Sequence, residues 1–206
     1  VSFLVMIVAV AVSDGFRYEI RNGLSGISGD IQLAPPDLNV MDSSQPVESN
    51  PSYLEKVMSV PGVDEVIPVI YRAGIVKDGT DIHGVLFKAV PGGQSCVSGV
   101  NVPDSIPLPV AVPRHFSEKS GLKAGDRMLT YFIGDKIIVR QFNIVSVYEP
   151  LLQTDDRMVI YASMSDLQRV NGWKEDQASA MEVRLDATYK DEVRIRQVTE
   201  EVGAYV

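Results

Sequence analysis

The sequence predicts an α+β protein, in which a β-α-β subdomain built from both ends of the chain carries a β-rich insertion subdomain. Three observations predict it. Strand and helix patterns alternate over residues 30–72 and return in the same order over residues 180–206. The stretch from about residue 108 to 162 reads mostly as strands. A run rich in Pro, Gly and Ser, residues 91–109, lies between them and is longer than loops usually are inside a compact domain. The expected division is 1–24 as an apolar stub and stalk, 25–90 with 176–206 as the β-α-β subdomain, and 91–175 as the insertion.

Composition narrows the function. The 206 residues are 45% apolar and 22% charged, which excludes wholesale disorder and fibrous architectures. A net charge of −8 without a basic cluster argues against nucleic acid as a partner. One cysteine makes no internal disulfide, so the fold is expected to hold without one.

The elements follow in order. Residues 1–12, VSFLVMIVAVAV, carry Ser2 as their one polar residue. As a helix they would reach roughly 18 Å, short of the roughly 30 Å hydrocarbon core. Three readings stand: the outer half of a transmembrane helix, a signal-peptide core with Ala9-Val10-Ala11 as a small-x-small site, or a buried strand or helix. Phe16, Ile20 and Leu24 share one helical face, so a membrane helix continuing as an amphipathic stalk fits best. The start without Met is read as a cut through that helix, and the unfinished strand at Val206 as a second cut.

Residues 30–34 alternate like a strand that Pro35-Pro36 ends, and 36–50 read as a loop. Asn50-Pro51 predicts a helix start, with Leu54, Val57 and Met58 facing the core and Val60-Pro61-Gly62 as the stop. Val63 to Ile70 follows as a strand. Ala73 to Lys77, the Asp78-Gly79 turn and Ile82 to Val90 predict a hairpin.

The insertion reads as a strand from Leu108 to Val112, a short helix from Arg114 to Ser120 and a tight loop from Gly121 to Asp126. Strands Arg127 to Ile133, Ile137 to Tyr148 and Met158 to Tyr161 come next. Ser163-x-x-Asp166 has the form of a capping box for a helix that Asn171-Gly172 ends. Ala180 to Leu185 is a strand, and Thr188 to Asp191 caps a helix bearing Ile195, Val198 and Val202.

Chemistry has thin support. His83 and His115 are the two imidazoles and Cys96 the one thiol, so a Cys–His nucleophile would have to draw on these three. Neither Asp81 with His83 nor Asp155 with Asp156 has metal-ligand spacing, and Gly92-Gly93 lacks the lysine of a phosphate cradle. No catalytic, metal or cofactor-binding residue is assigned and no cofactor is expected; the charged residues read as a solvated surface.

Several stretches, in this order, resemble the extracytoplasmic domain of MacB/FtsX/LolC-type ABC transporter permeases. They are Ser13-Asp14-Gly15-Phe16-x-x-Glu19-Ile20 at the membrane edge, then Leu54-x-x-Val57-x-x-Val60-Pro61-Gly62-Val63-x-x-Val66-x-Pro68. Gly84-Val85 follows at the place of a short Gly-Val-Asp-type motif, although Leu86-Phe87 comes next here. Val110-Ala111-Val112, Ser120-Gly121-Leu122-x-x-Gly125-Asp126 and Asp156-x-Met158-Val159-Ile160-Tyr161 are similar to the β-rich insertion. The Gly-Phe-x-x-Glu form looks nearest to the lipoprotein-releasing permeases.

The resemblance implies a porter-like β-α-β body and a non-catalytic permease subunit of a bacterial inner membrane, facing the periplasm. It implies a cytoplasmic ABC ATPase as partner, a second permease copy or paralogue, contact with membrane lipid, and three further transmembrane helices after residue 206. Gly15, Phe16, Glu19 and Ile20 become the coupling stalk. Cargo stays open among lipoprotein, peptide, small molecule and a cell-division role. Where the chaperone-binding members carry a long hook, this chain has only Ile133 to Ile137, so the resemblance gives no support for a docked chaperone. The competing reading is a secreted binding module released by cleavage near Ala11; a Cys96- or metal-dependent hydrolase is the third.

Overall fold

The computed structural model describes residues 6–7, 29–36, 38–40, 45–79, 81–93, 100, 102, 105–134, 136–150 and 158–206. The alternation predicted for residues 30–34 and 180–185 becomes β1 (Ile31–Leu33) and β10 (Ala180–Leu185). Between them in sequence come β2 (Val47–Glu48), α1 (Leu54–Met58), β3 (Val63–Asp78), β4 (Asp81–Ala89), β5 (Pro109–Pro113), α2 (Arg114–Ser120), β6 (Arg127–Phe132), β7 (Ile138–Tyr148), β8 (Val159–Ala162), α3 (Met164–Asn171) and β9 (Gln177–Ala178). The last helix is α4 (Glu192–Gly203). β2 and β9 pair with each other apart from the main sheet.

The main sheet runs β1-β10-β3-β4-β8-β5-β7-β6, and β6 pairs back onto β3. That last pairing, Ile75 with Tyr131 and Val76 with Thr130, closes six strands into a barrel. Closure removes the open edges that the β-rich insertion would otherwise expose. β5 and β8 are antiparallel and run directly into α2 and α3, so the two helices stand at opposite mouths. Phe116 plugs one mouth from α2; Leu167 and Val170 plug the other from α3.

Inside, the rings of Phe87, Phe132 and Phe142 meet at centroid distances of 5.0 to 6.1 Å. Gly74 makes room for them. A β-carbon there would lie 2.9 Å from Thr130 Cγ2 and 3.1 Å from the Phe87 ring.

β3 is one strand of 16 residues, where the sequence suggests a strand ending near Ile70 and a hairpin arm beginning at Ala73. At about 3.3 Å per residue it spans roughly 50 Å, enough to serve two layers. Its first half pairs with β10 over Val63 to Val69, and its second half pairs with β4 over Ile70 to Asp78. Pro68 lies in the half that β10 pairs along one edge and β4 does not reach, so its missing N–H breaks no ladder on the second edge. The hairpin expected to stand with the chain ends therefore supplies two staves of the barrel.

The chain ends make the other layer. β10 inserts between β1 and β3 and is antiparallel to both, so the predicted β-α-β unit is split by a strand from the far end of the chain. α1 and α4 cover one face of these strands, burying Ile31, Val57, Val60, Val183, Leu185, Val198 and Val202 together.

Local details differ from expectation at two helix starts. α1 begins at Leu54, because Pro51 closes a turn in which the Leu54 N–H donates to the Pro51 carbonyl at 3.0 Å; Tyr53, not Asn50, precedes the helix. Ser163 holds the N-cap position of α3, but its side chain makes no capping bond; its hydroxyl meets that of Ser165 at 2.9 Å. Asp191 does cap α4, accepting from the Arg194 N–H at 3.0 Å.

Candidate functional site

The predicted coupling residues Gly15, Phe16, Glu19 and Ile20 lie outside the described residues, as does Cys96. His83 stands on β4 with its ring edge-on to Phe116 at 5.7 Å, and His115 is the second residue of α2. Among the described residues no three His, Cys, Asp or Glu side chains group to hold a metal ion. Among them, too, no helix is long and apolar enough to cross a membrane.

What the fold does assemble is a buried charged cluster on the outer face of the barrel, at its seam with the terminal layer. Tyr71 on β3 is directly opposite Lys88 on β4, and Lys88 is opposite Tyr161 on β8. Glu182 on β10 sits across from Ile67, four residues before Tyr71 and therefore on the same face of β3. The Lys88 ammonium donates to both Glu182 oxygens, at 2.8 and 2.9 Å, while the Tyr71 hydroxyl donates to Glu182 Oε1. Relative side-chain exposure is 2% for Lys88 and 0% for Glu182, so each charge depends on the other.

The surroundings are apolar. Val69, Val90 and Ala180 pack on the Tyr71 side; Val100, Val102, Ala111 and Tyr148 surround Tyr161. Burial, then the charge of Glu182 beside it, pushes the Tyr71 phenol far above its usual range. Burial, then Tyr161, does the same to Tyr148, whose hydroxyl donates to the Val159 carbonyl at 2.7 Å. The Tyr71 backbone N–H is satisfied by the Ser179 hydroxyl at 3.0 Å.

A bidentate ammonium–carboxylate contact with a phenol donor fixes positions; sealed from water, it is poorly placed to turn over a substrate. Its sequence signals were Lys88 inside the apolar stretch Val85 to Val90 and Glu182 inside Ala180 to Val183, two charges in strands that otherwise read as buried.

A separate cavity of about 390 Å³ lies beside the start of α3, lined by Ile106, Leu108, Ser163, Asp166, Arg169 and Glu175 among others. Asp166 is buried and held by Arg169 at 2.5 Å.

The described residues thus form a mixed α/β fold, a plugged six-stranded barrel continuous with a helix-backed layer made from the chain ends, and the fold is shared with a solved transporter domain. The extracellular domain of the noncanonic ABC-type transporter YknZ from Gram-positive bacteria superposes with a TM-score of 0.51 at 10% identity, covering 84% of this chain and 90% of that one. The periplasmic region of MacB from Actinobacillus actinomycetemcomitans gives 0.46 at 14% identity, over 74% of this chain and 72% of that one. A permease-protein domain from Porphyromonas gingivalis gives 0.41 at 15% identity, over 79% and 73%. At such identities the likeness is one of fold, and it rests on the first of the three. The sequence matches no family profile and no curated protein.

Proposed function

We propose that this chain is the extracytoplasmic domain of an ABC-type transporter permease, carrying ATP-driven motion from the membrane to the outer side. The observation that carries the reading is the fold shared with the YknZ extracellular domain over most of both chains. The ordered motifs and the apolar start support it. The domain does no chemistry of its own: hydrolysis belongs to a cytoplasmic ATPase subunit, and two such domains facing one another open and close around cargo. Gly15, Phe16, Glu19 and Ile20 form the stalk through which helix motion enters, and the membrane is the bacterial inner membrane. Lipoprotein is one candidate cargo, on the strength of the Gly-Phe-x-x-Glu form.

The test uses the full-length gene product. It should retain residues upstream of Ser13 in the membrane and copurify with an ATPase subunit. Glu19→Pro should leave ATP hydrolysis within about twofold while export falls at least tenfold, because a helix-interior proline breaks the stalk. Unchanged export in this variant would remove the lever reading, and a mature N-terminus beginning near Ala11 would replace it with a secreted binding module.

A further inference from the structure

We infer that the Tyr71–Lys88–Glu182 cluster is a rivet that makes the barrel and the terminal layer open as one body. β10 and β4 are not neighbours in the sheet, because β3 lies between them. The ion pair reaches across that strand, and Tyr71 on the intervening strand donates to the same carboxylate. It therefore ties the layer made from the chain ends to the barrel across β3, a second fastening beside the covalent passage from α3 through β9 into β10.

Net stability is a poor reason for such a pair. Removing two charges from water costs about as much as their attraction returns, and apolar replacements of similar volume are often neutral or better. Directionality is what an apolar pair lacks. Two oxygens held at 2.8 and 2.9 Å by one ammonium, and a phenol on one of them, fix how β10 is set beside β3 relative to β4. Leu and Met in their place would fill the volume and tolerate sliding. Gly29 belongs to the same arrangement: with φ +70° it lies against Glu182, and a β-carbon there would come within 3.0 Å of Glu182 Cβ.

The inference deepens the lever reading, since a lever must not bend at its seam, but it is tested on the 206-residue chain alone and so stands or falls separately. Amide hydrogen exchange is followed in wild type and in Lys88→Met/Glu182→Leu. In wild type the amides of Val183 and Leu185 on β10 should exchange with the same protection as those of Phe87 on β4. In the double variant, folded and of near wild-type thermal midpoint, the β10 amides should exchange at least tenfold faster while those of β4 stay unchanged. Equal acceleration at both places, or none at either, overturns the inference. So does failure of the double variant to fold, because the pair would then supply stability and not orientation. Tyr71→Phe, which keeps the ion pair, should show a smaller change in the same direction; an effect as large as that of the double variant also counts against the rivet.

Discussion

At Gly62 the backbone adopts φ +92°, and a β-carbon would come within 2.3 to 2.8 Å of three atoms of the Tyr189 ring, which the Arg194 guanidinium covers from 5.5 Å. Gly62→Ala is expected to lower stability by about 2–4 kcal/mol, from left-handed strain plus displacement of the ring, read as a lower urea midpoint. A second prediction comes from Tyr71 and Tyr148. Both phenols are held above the unfolded value of 10.0, so both states keep the proton below pH 10 and stability there is unaffected. Above pH 10 the unfolded chain releases protons that the folded chain retains, and stability falls by about 1.4 kcal/mol per pH unit for each phenol. Urea unfolding between pH 9 and 11 should show the slope, and Tyr71→Phe should reduce it by about one phenol's share. Of these residues the sequence announced Gly62, through Val60-Pro61-Gly62, as a stop. It could not pair Lys88 with Glu182, because nothing local records which of the acids ends beside a given ammonium 94 positions away.

Elements with their own punctuation were legible. Asp78-Gly79 turns the β3–β4 hairpin with Gly79 at φ +54°, and Gly121 and Gly172 end α2 and α3 in the left-handed region. Asp191 caps α4 as the spacing suggested, and Asp191→Ala should cost about 0.5–2 kcal/mol in thermal or urea unfolding. Elements defined by distant partners were read less well. β3 read as two strands, Val63 to Ile70 and Ala73 to Lys77, because β10 and β4, the distant partners that support its first and second halves, leave no local mark. The Asn50-Pro51 signal was sound locally, but the Pro51 turn took up the first residues after it. The stalk elements, which the proposed function needs most, lie outside the described residues.

For the whole molecule, alternation along each strand predicted a β-rich insertion but not its closure. The barrel closes through Ile75 with Tyr131 and Val76 with Thr130, contacts more than fifty positions apart, and the same alternation suits an open sheet. Phe87 sits where the closure concentrates packing, touching both Phe132 and Phe142, so Phe87→Ala should cost about 3–5 kcal/mol and lower the thermal midpoint measured by circular dichroism. The insertion of β10 between β1 and β3 carries a consequence for biosynthesis. Chain order and assembly order differ: β1 and the first half of β3 are made early but wait for residues 180–185 to give them a common neighbour. Glu182 is made 94 positions after Lys88, so their ion pair forms only once β10 is in place. A chain released after residue 175 should therefore be cut by protease within β1 and the start of β3, while full-length protein resists. All six barrel strands, from Val63 to Ala162, are synthesised before the strand that the terminal layer needs.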